Sequence, residues 1–147
     1  MARKVFIWFD YAHDLSRVER IRDLPDVIPK APAGFKDGSL WDAALSAGDD
    51  AVHALVDTAL EVTAVTVVCI GSRTAADPHV DYAIERSIMR GNGIVGVRIH
   101  AVPDADGRTG SEGSVPALLI ENWYKVYTYA DQTQLAAWIE EAARDAV

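Results

Sequence analysis

Val65-Thr-Val-Val-Cys-Ile-Gly-Ser-Arg-Thr-Ala-Ala-Asp-Pro-His-Val-Asp-Tyr-Ala-Ile-Glu-Arg-Ser-Ile-Met-Arg-Gly-Asn-Gly-Ile-Val-Gly-Val-Arg-Ile99 reads as strand, loop, helix and strand. Val65 to Ile70 is a continuous run rich in β-branched residues, the pattern of a strand buried on both faces. Asp77-Pro78 then leads into a helix with proline near its first turn. Along that helix Val80, Ala83, Ile84, Ser87 and Ile88 fall at i, i+3, i+4, i+7 and i+8, so they form one small and apolar face, while Asp81, Glu85 and Arg86 point to water. Gly91-Asn92-Gly93 suits a left-handed cap, and Ile94 to Ile99 resumes as a second buried strand. A strand, a crossover helix and another apolar strand imply a right-handed β-α-β unit in a mostly parallel sheet.

The same alternation extends outward. Lys4 to Phe9 is an apolar, aromatic-rich run expected to be a central strand, followed by Asp10-Tyr11-Ala-His-Asp14 as a polar loop and a short helix from Ser16 to Leu24. Pro25 to Gly38 holds three prolines and two glycines and reads as a long loop with a short strand at Val27-Ile28. Loops of that length in compact domains are usually functional. Ser39 to Leu45 has the cap and small residues of a helical turn, and Asp49 to Leu60 is a helix with Val52, Leu55, Val56 and Ala59 on one face. Ala101 to Val115 is an exposed loop, Ala117 to Trp123 is apolar without a decisive period, and Val126 to Tyr129 is taken as the last strand. Gln132 to Ala146 closes as an amphipathic helix burying Leu135, Trp138, Ile139 and Ala142, with Trp123 also assigned to the core. The expected architecture is a flavodoxin-like α/β fold, a mostly parallel five-stranded sheet with helices on both faces, in a single domain over residues 1–147.

Composition narrows the functional classes. A net charge of −8 argues against nucleic acid as the main partner, because phosphate binding relies on clustered Lys and Arg. No apolar run reaches the roughly 20 residues of a membrane span and the N-terminus has no cleavable signal, so a cytoplasmic location is expected and a membrane partner is not. The four histidines are scattered and show no metal-ligand spacing, so no metal site is expected. Cys69, the single cysteine, lies inside a strand and reads as a buried core thiol.

In open α/β sheets the ligand sits at the carboxyl ends of the strands. Here those ends are Phe9 to Asp14, Gly71 to Pro78 and His100 onward, with residues 25–41 able to fold over them. A phosphoacceptor domain needs an aspartate where the third strand ends, but this chain has Ile70-Gly71-Ser72. A flavodoxin needs a Ser/Thr/Gly-rich phosphate loop after its first strand, but this chain has Asp10-Tyr11-Ala12-His13-Asp14.

Four segments taken in order carry a more specific resemblance: Val5-Phe-Ile-Trp-Phe-Asp-Tyr11, Asp37-Gly-Ser-Leu-Trp41, Val65-Thr-Val-Val-Cys-Ile-Gly-Ser72 and Val80 to Gly96. Together, over roughly residues 4 to 100, they resemble the TIR-like domains that include the Thoeris antiphage sensors. The resemblance implies an NAD glycohydrolase or ADP-ribosyl cyclase with no prosthetic group and NAD as substrate. Its ADP-ribose-derived product, a cyclic isomer or a conjugate, would switch on a separate effector protein, and homo-oligomers in head-to-tail assemblies are implied as well. It places an aromatic residue, usually Trp, at position 79 and a catalytic Glu at position 83, where this chain has His79 and Tyr82-Ala83-Ile84. Cleavage of the nicotinamide bond develops oxocarbenium charge that a carboxylate stabilises, and alanine cannot. Asp81 and Glu85, two residues away along the helix, face about 200° from the Ala83 surface and offer no local substitute.

Either Ala83 replaces a glutamate deliberately, trapping ligand or suppressing NAD depletion, or it belongs to a natural domain that binds nucleotide or a partner without turnover. Spacing alone assigns it to helix packing. The remaining substrate-binding candidates are Phe9, Asp10 and Tyr11 at the first strand end, Ser39 and Trp41 in the loop region, Ser72 and Arg73 after the third strand, and His79 and Tyr82 on the helix. Five of these have a plainer reading: Phe9 and Trp41 as core, Asp10 as a turn cap, Arg73 as an exposed surface charge and Tyr82 as half-buried packing. Trp8 stands where the resemblance expects a small residue, and its ring either narrows the site or repacks the core.

Overall fold

The computed structural model describes residues 5–22, 44 and 46–146. Within them the elements run β1 (Val5–Trp8), α1 (Tyr11–Arg22), α2 (Asp49–Glu61), β2 (Val65–Ile70), a 3-10 turn (Thr74–Ala76), α3 (Val80–Arg90), β3 (Gly93–Arg98), α4 (Ala117–Glu121), β4 (Val126–Thr128) and α5 (Gln132–Asp145). The four strands form one sheet in the order β1-β2-β3-β4, parallel throughout. Val5 pairs with Val65, Val65 with Gly93 and Gly96 with Val126. The expected fifth strand, Val27-Ile28, and the expected helical turn over 39–45 fall wholly or mainly outside the described residues.

Every residue of β1 and β2 and all but the last of β3 are buried, because helices cover both faces and leave no polar side for alternation. Helix α5 lies over β2 and β3, while α3 packs on β3, against α2 and against α4. Trp8 is fully buried with its ring edge toward Phe6 at 6.4 Å, so its bulk is absorbed by the core. Among the described residues no helix is long and apolar enough to cross a membrane.

Two expectations need correction. Helix α1 begins at Tyr11 rather than Ser16, because the Asp10 carbonyl accepts the N–H groups of His13 (3.3 Å) and Asp14 (2.8 Å) and starts the helix two residues after β1. The polar composition of 10–14 is that of a helix N-terminus, where aspartate is favoured. Trp123 is not core: it is 91% exposed.

The ends of α3 and α4 share one hydrogen-bond pattern. After α3, Gly91 N–H donates to Ile88 O (3.1 Å) and Asn92 N–H to Ser87 O (3.0 Å). After α4, Trp123 N–H donates to Ile120 O (3.1 Å) and Tyr124 N–H to Leu119 O (3.0 Å). Both are Schellman stops, which require a left-handed residue at the position held by Gly91 (φ 78°) and Trp123 (φ 62°).

Candidate functional site

At the carboxyl end of β1 the chain passes through buried Phe9 to Asp10, whose carboxylate lies 2.8 Å from His13 Nδ1. Tyr11 opens α1, and its side chain is outside the described set. One turn on, Asp14 is only 1% exposed. Its Oδ1 accepts from Arg17 Nη1 at 3.2 Å, but Oδ2 has no hydrogen-bond partner among the described residues. Burial first, and then the charge of Asp10, push the Asp14 carboxyl above the ordinary carboxylate range, with Arg17 pulling the other way. Arg17 also donates to Val102 O (2.8 Å) and Arg108 O (3.1 Å), tying α1 to the loop after β3.

The end of β2 presses against the same carboxylate. A Cβ on Gly71 would overlap Asp14 Oδ2, and a Cβ on Gly113 would overlap the Gly71 carbonyl, so glycine is required at both crossings. Thr74 Oγ1 accepts from Gly71 N–H at 2.8 Å and donates to Cys69 O at 3.3 Å, which closes the turn. Ser72 and Arg73 are exposed beside it, so Arg73 presents a guanidinium at this strand exit. Asp77 follows, its Oδ1 accepting the His79 N–H at 2.9 Å. Burial is the largest influence raising the Asp77 carboxyl, and Asp10 adds to it. Burial, with Asp14 contributing, pushes the Cys69 thiol up to about 12, which leaves an inert core thiol as the sequence implied.

Helix α3 presents Val80, Ala83, Ile84 and Ser87 inward, as its spacing requires. Ala83 is 0% exposed. Beneath it Ser87 Oγ lies 2.7 Å from both Ala83 O and Thr66 Oγ1, joining the helix to β2. Asp81 and Glu85 are exposed, so the buried face of this helix carries no carboxylate.

His79 and Tyr82 face a different neighbour from Asp10 and Arg73. Tyr82 stacks on His53 of α2 at 3.7 Å and 8°, and its hydroxyl donates to the Asp57 carboxylate at 2.9 Å. Arg86 Nε completes that carboxylate at 3.0 Å. His79 meets the edge of His53 at 6.0 Å and lies 3.8 Å from Asp49. The structure therefore gathers Phe9, Asp10, Ser72 and Arg73 at the exits of two paired strands and turns Tyr82 toward α2, with His79 at the start of α3 between the two regions. Ser39 and Trp41 lie outside the described residues. Sequence reasoning missed Asp14, Asp77, His53 and Asp57. Asp14 was findable as the i+4 partner of Asp10 once the helix start was placed correctly; the His53 stack joins residues 29 apart and has no local signature.

The strand exits can accept hydrogen bonds from hydroxyl groups and attract positive charge through Asp10 and Asp77, with Arg73 available to a phosphate oxygen. Among the described residues no three His, Cys, Asp or Glu side chains are disposed to hold a metal ion.

The family model described as the TIR-like domain of the Thoeris protein ThsB matches residues 6–104. A protein of Bacillus cereus strain MSX-D12, ThsB1, named as a candidate cyclic ADP-D-ribose synthase, is 37% identical over 118 residues, 79% of this chain. The chain covers 62% of that relative's length.

Proposed function

Because this chain belongs to the family of TIR-like domains of Thoeris ThsB proteins, we propose that it has the architecture of an NAD-processing enzyme, binds NAD or an ADP-ribose-derived nucleotide at the carboxyl ends of β1 and β2 and, with alanine at position 83, does not turn it over. The carrying observation is the inward face of α3, where Val80, Ala83, Ile84 and Ser87 are buried and no carboxylate is among them. Breaking the ribose–nicotinamide bond sends its electron pair out with nicotinamide and leaves positive charge on the ribose. A carboxylate on that face would stabilise the charge, whereas the methyl group of Ala83 gives no electrostatic help. Asp10 and Asp77 remain to order ribose hydroxyls, and Arg73 to meet the diphosphate. With a glutamate at position 83, a cyclic ADP-ribose isomer is the product class that the relative's name favours, and a separate effector would be its target.

Ala83→Glu tests this reading directly. The variant, shown to be folded by circular dichroism, is incubated with NAD and the products are resolved by mass spectrometry. Release of nicotinamide with an ADP-ribose-derived product, against none from the parent chain, is expected. The complete burial of Ala83 favours a second reading, a non-catalytic module for nucleotide binding or self-association. That reading replaces the first if the folded glutamate variant stays inert under conditions that support assembly while the parent chain binds NAD.

A further inference from the structure

The amino-terminal end of the sheet carries a cavity of about 390 Å³, within the size range of small-molecule sites. It lies a full strand length from the exits described above, about 17 Å along β3. Its floor is the start of β3, where α5 crosses so closely that a Cβ on Gly93 would overlap the Ala142 carbonyl. Its walls include the rings of Tyr124, Trp138 and Trp123 and the charges of Lys125, Glu141 and Asp145. Trp138 is fixed by stacking on Tyr127 at 4.5 Å and 2°.

Trp123 is the feature that ordinary packing does not account for. Among the described non-glycine residues it alone has a positive φ, and it occupies the helix-stop position that glycine fills after α3. A left-handed backbone costs an L-residue on the order of 1–2 kcal/mol. Its ring, 91% exposed, recovers little of that by burial. Strain of this kind gathers at ligand clamps.

The charges select the ligand class. Lys125 Nζ lies 3.2 Å from Glu141 and 3.6 Å from Asp145, so one ammonium faces two carboxylates and the lining is net negative. Glu141 also accepts the Tyr127 hydroxyl at 2.6 Å, which leaves the more exposed Asp145 with acceptor capacity to spare. Indole faces attract cations, and tryptophan does so best. We propose that this cavity binds a flat aromatic or heteroaromatic cation, which stacks on Trp123 and places its positive nitrogen on Asp145. Phosphate esters and carboxylates are disfavoured there, because the single ammonium is already neutralised.

Three probes of one shape and different charge test the assignment: benzamidine, benzamide and benzoate, titrated into the full chain. The four tryptophans supply separate indole N–H signals for nitrogen-15 NMR. Benzamidine is expected to shift the Trp123 and Trp138 signals saturably and to bind about ten-fold more tightly than benzoate, with benzamide between them. Trp123→Gly is expected to melt no lower than the parent and to bind benzamidine about ten-fold more weakly. Asp145→Asn, also folded, should narrow the gap between benzamidine and benzamide. Equal binding of benzoate, shifts confined to other tryptophans, or unchanged affinity in Trp123→Gly overturns the proposal. So does a Trp123-dependent dimer in sedimentation with no response to any probe, which would make the ring a contact between copies. None of these readouts depends on NAD, so they are separate from the test at Ala83.

Discussion

The two ends of this sheet solve close packing in the same way, with glycine, and part company at a single helix stop. At the carboxyl ends, glycines stand wherever the chain crosses itself, at Gly71 against Asp14 and at Gly113 against the Gly71 carbonyl, and the space they save holds a buried carboxylate. At the amino end Gly93 does the same service under α5, and Gly91 supplies a relaxed left-handed stop to α3. Yet the equivalent stop of α4 carries tryptophan, with a strained backbone and a ring in solvent. Backbone economy explains four of these five positions and fails at Trp123, which points to a use for the side chain rather than for the fold.

The largest test of that contrast is Gly93→Ala. The overlapping atom is a helix carbonyl of α5, which cannot move without lifting the helix from β3, so a loss of about 3 kcal/mol in urea denaturation is expected. A change within a few tenths of a kcal/mol would show that α5 docks loosely and that the cavity beside it has no fixed floor. Gly91→Ala has open space around its Cβ and meets only the left-handed backbone, so about 1 kcal/mol is expected. Trp123→Gly reverses the sign: relief of strain, reduced by glycine's greater unfolded-state entropy, should leave a gain of about 0.5 kcal/mol. If that variant is instead clearly destabilised, Trp123 packs in a way that its exposure conceals, and the contrast between the two helix stops disappears.

What the sequence made legible follows from local physics. The β2-α3-β3 unit could be read because a continuous apolar run, an i, i+3, i+4 face and a Gly-Asn-Gly stop are each signals within a few residues of one another, and Ala83 was placed inward on spacing alone. The start of α1 was misread because Asp-Tyr-Ala-His-Asp has the composition of a loop as well as of a capped helix. Trp123 was misread because hydrophobicity assigns a tryptophan to the core, and nothing in composition announces a left-handed backbone. At the site, Asp10 and Arg73 were visible as strand-end residues. Asp14 and Asp77 were not: both owe their character first to burial, a tertiary property, while the charge of Asp10 reaches Asp14 one turn along α1, a start that was misplaced, and Asp77 only across the strand pair.

The smallest expected effect tests the other side of the contrast, the carboxylate held beneath Gly71. Burial, the first cause, and the charge of Asp10 raise the Asp14 carboxyl above its ordinary value of 3.8, so the folded protein holds this proton at pH values where the unfolded chain has released it. Its contribution to stability is therefore fully present below 3.8 and is lost as pH rises through the raised folded value. Asparagine keeps an oxygen for Arg17 Nη1 and carries no charge, so Asp14→Asn lacks this dependence. Asp77 is raised in the same direction, but it is present in both proteins and cancels to first order in the comparison. Urea midpoints measured on parent and variant from below 3.8 up to neutrality should show the difference moving steadily in favour of the variant as pH rises. A flat difference would mean that Asp14 is solvated rather than enclosed. A difference moving toward the parent would mean that the Arg17 pair outweighs burial, and the strand exits would then hold a stabilised ion pair instead of a strained carboxylate.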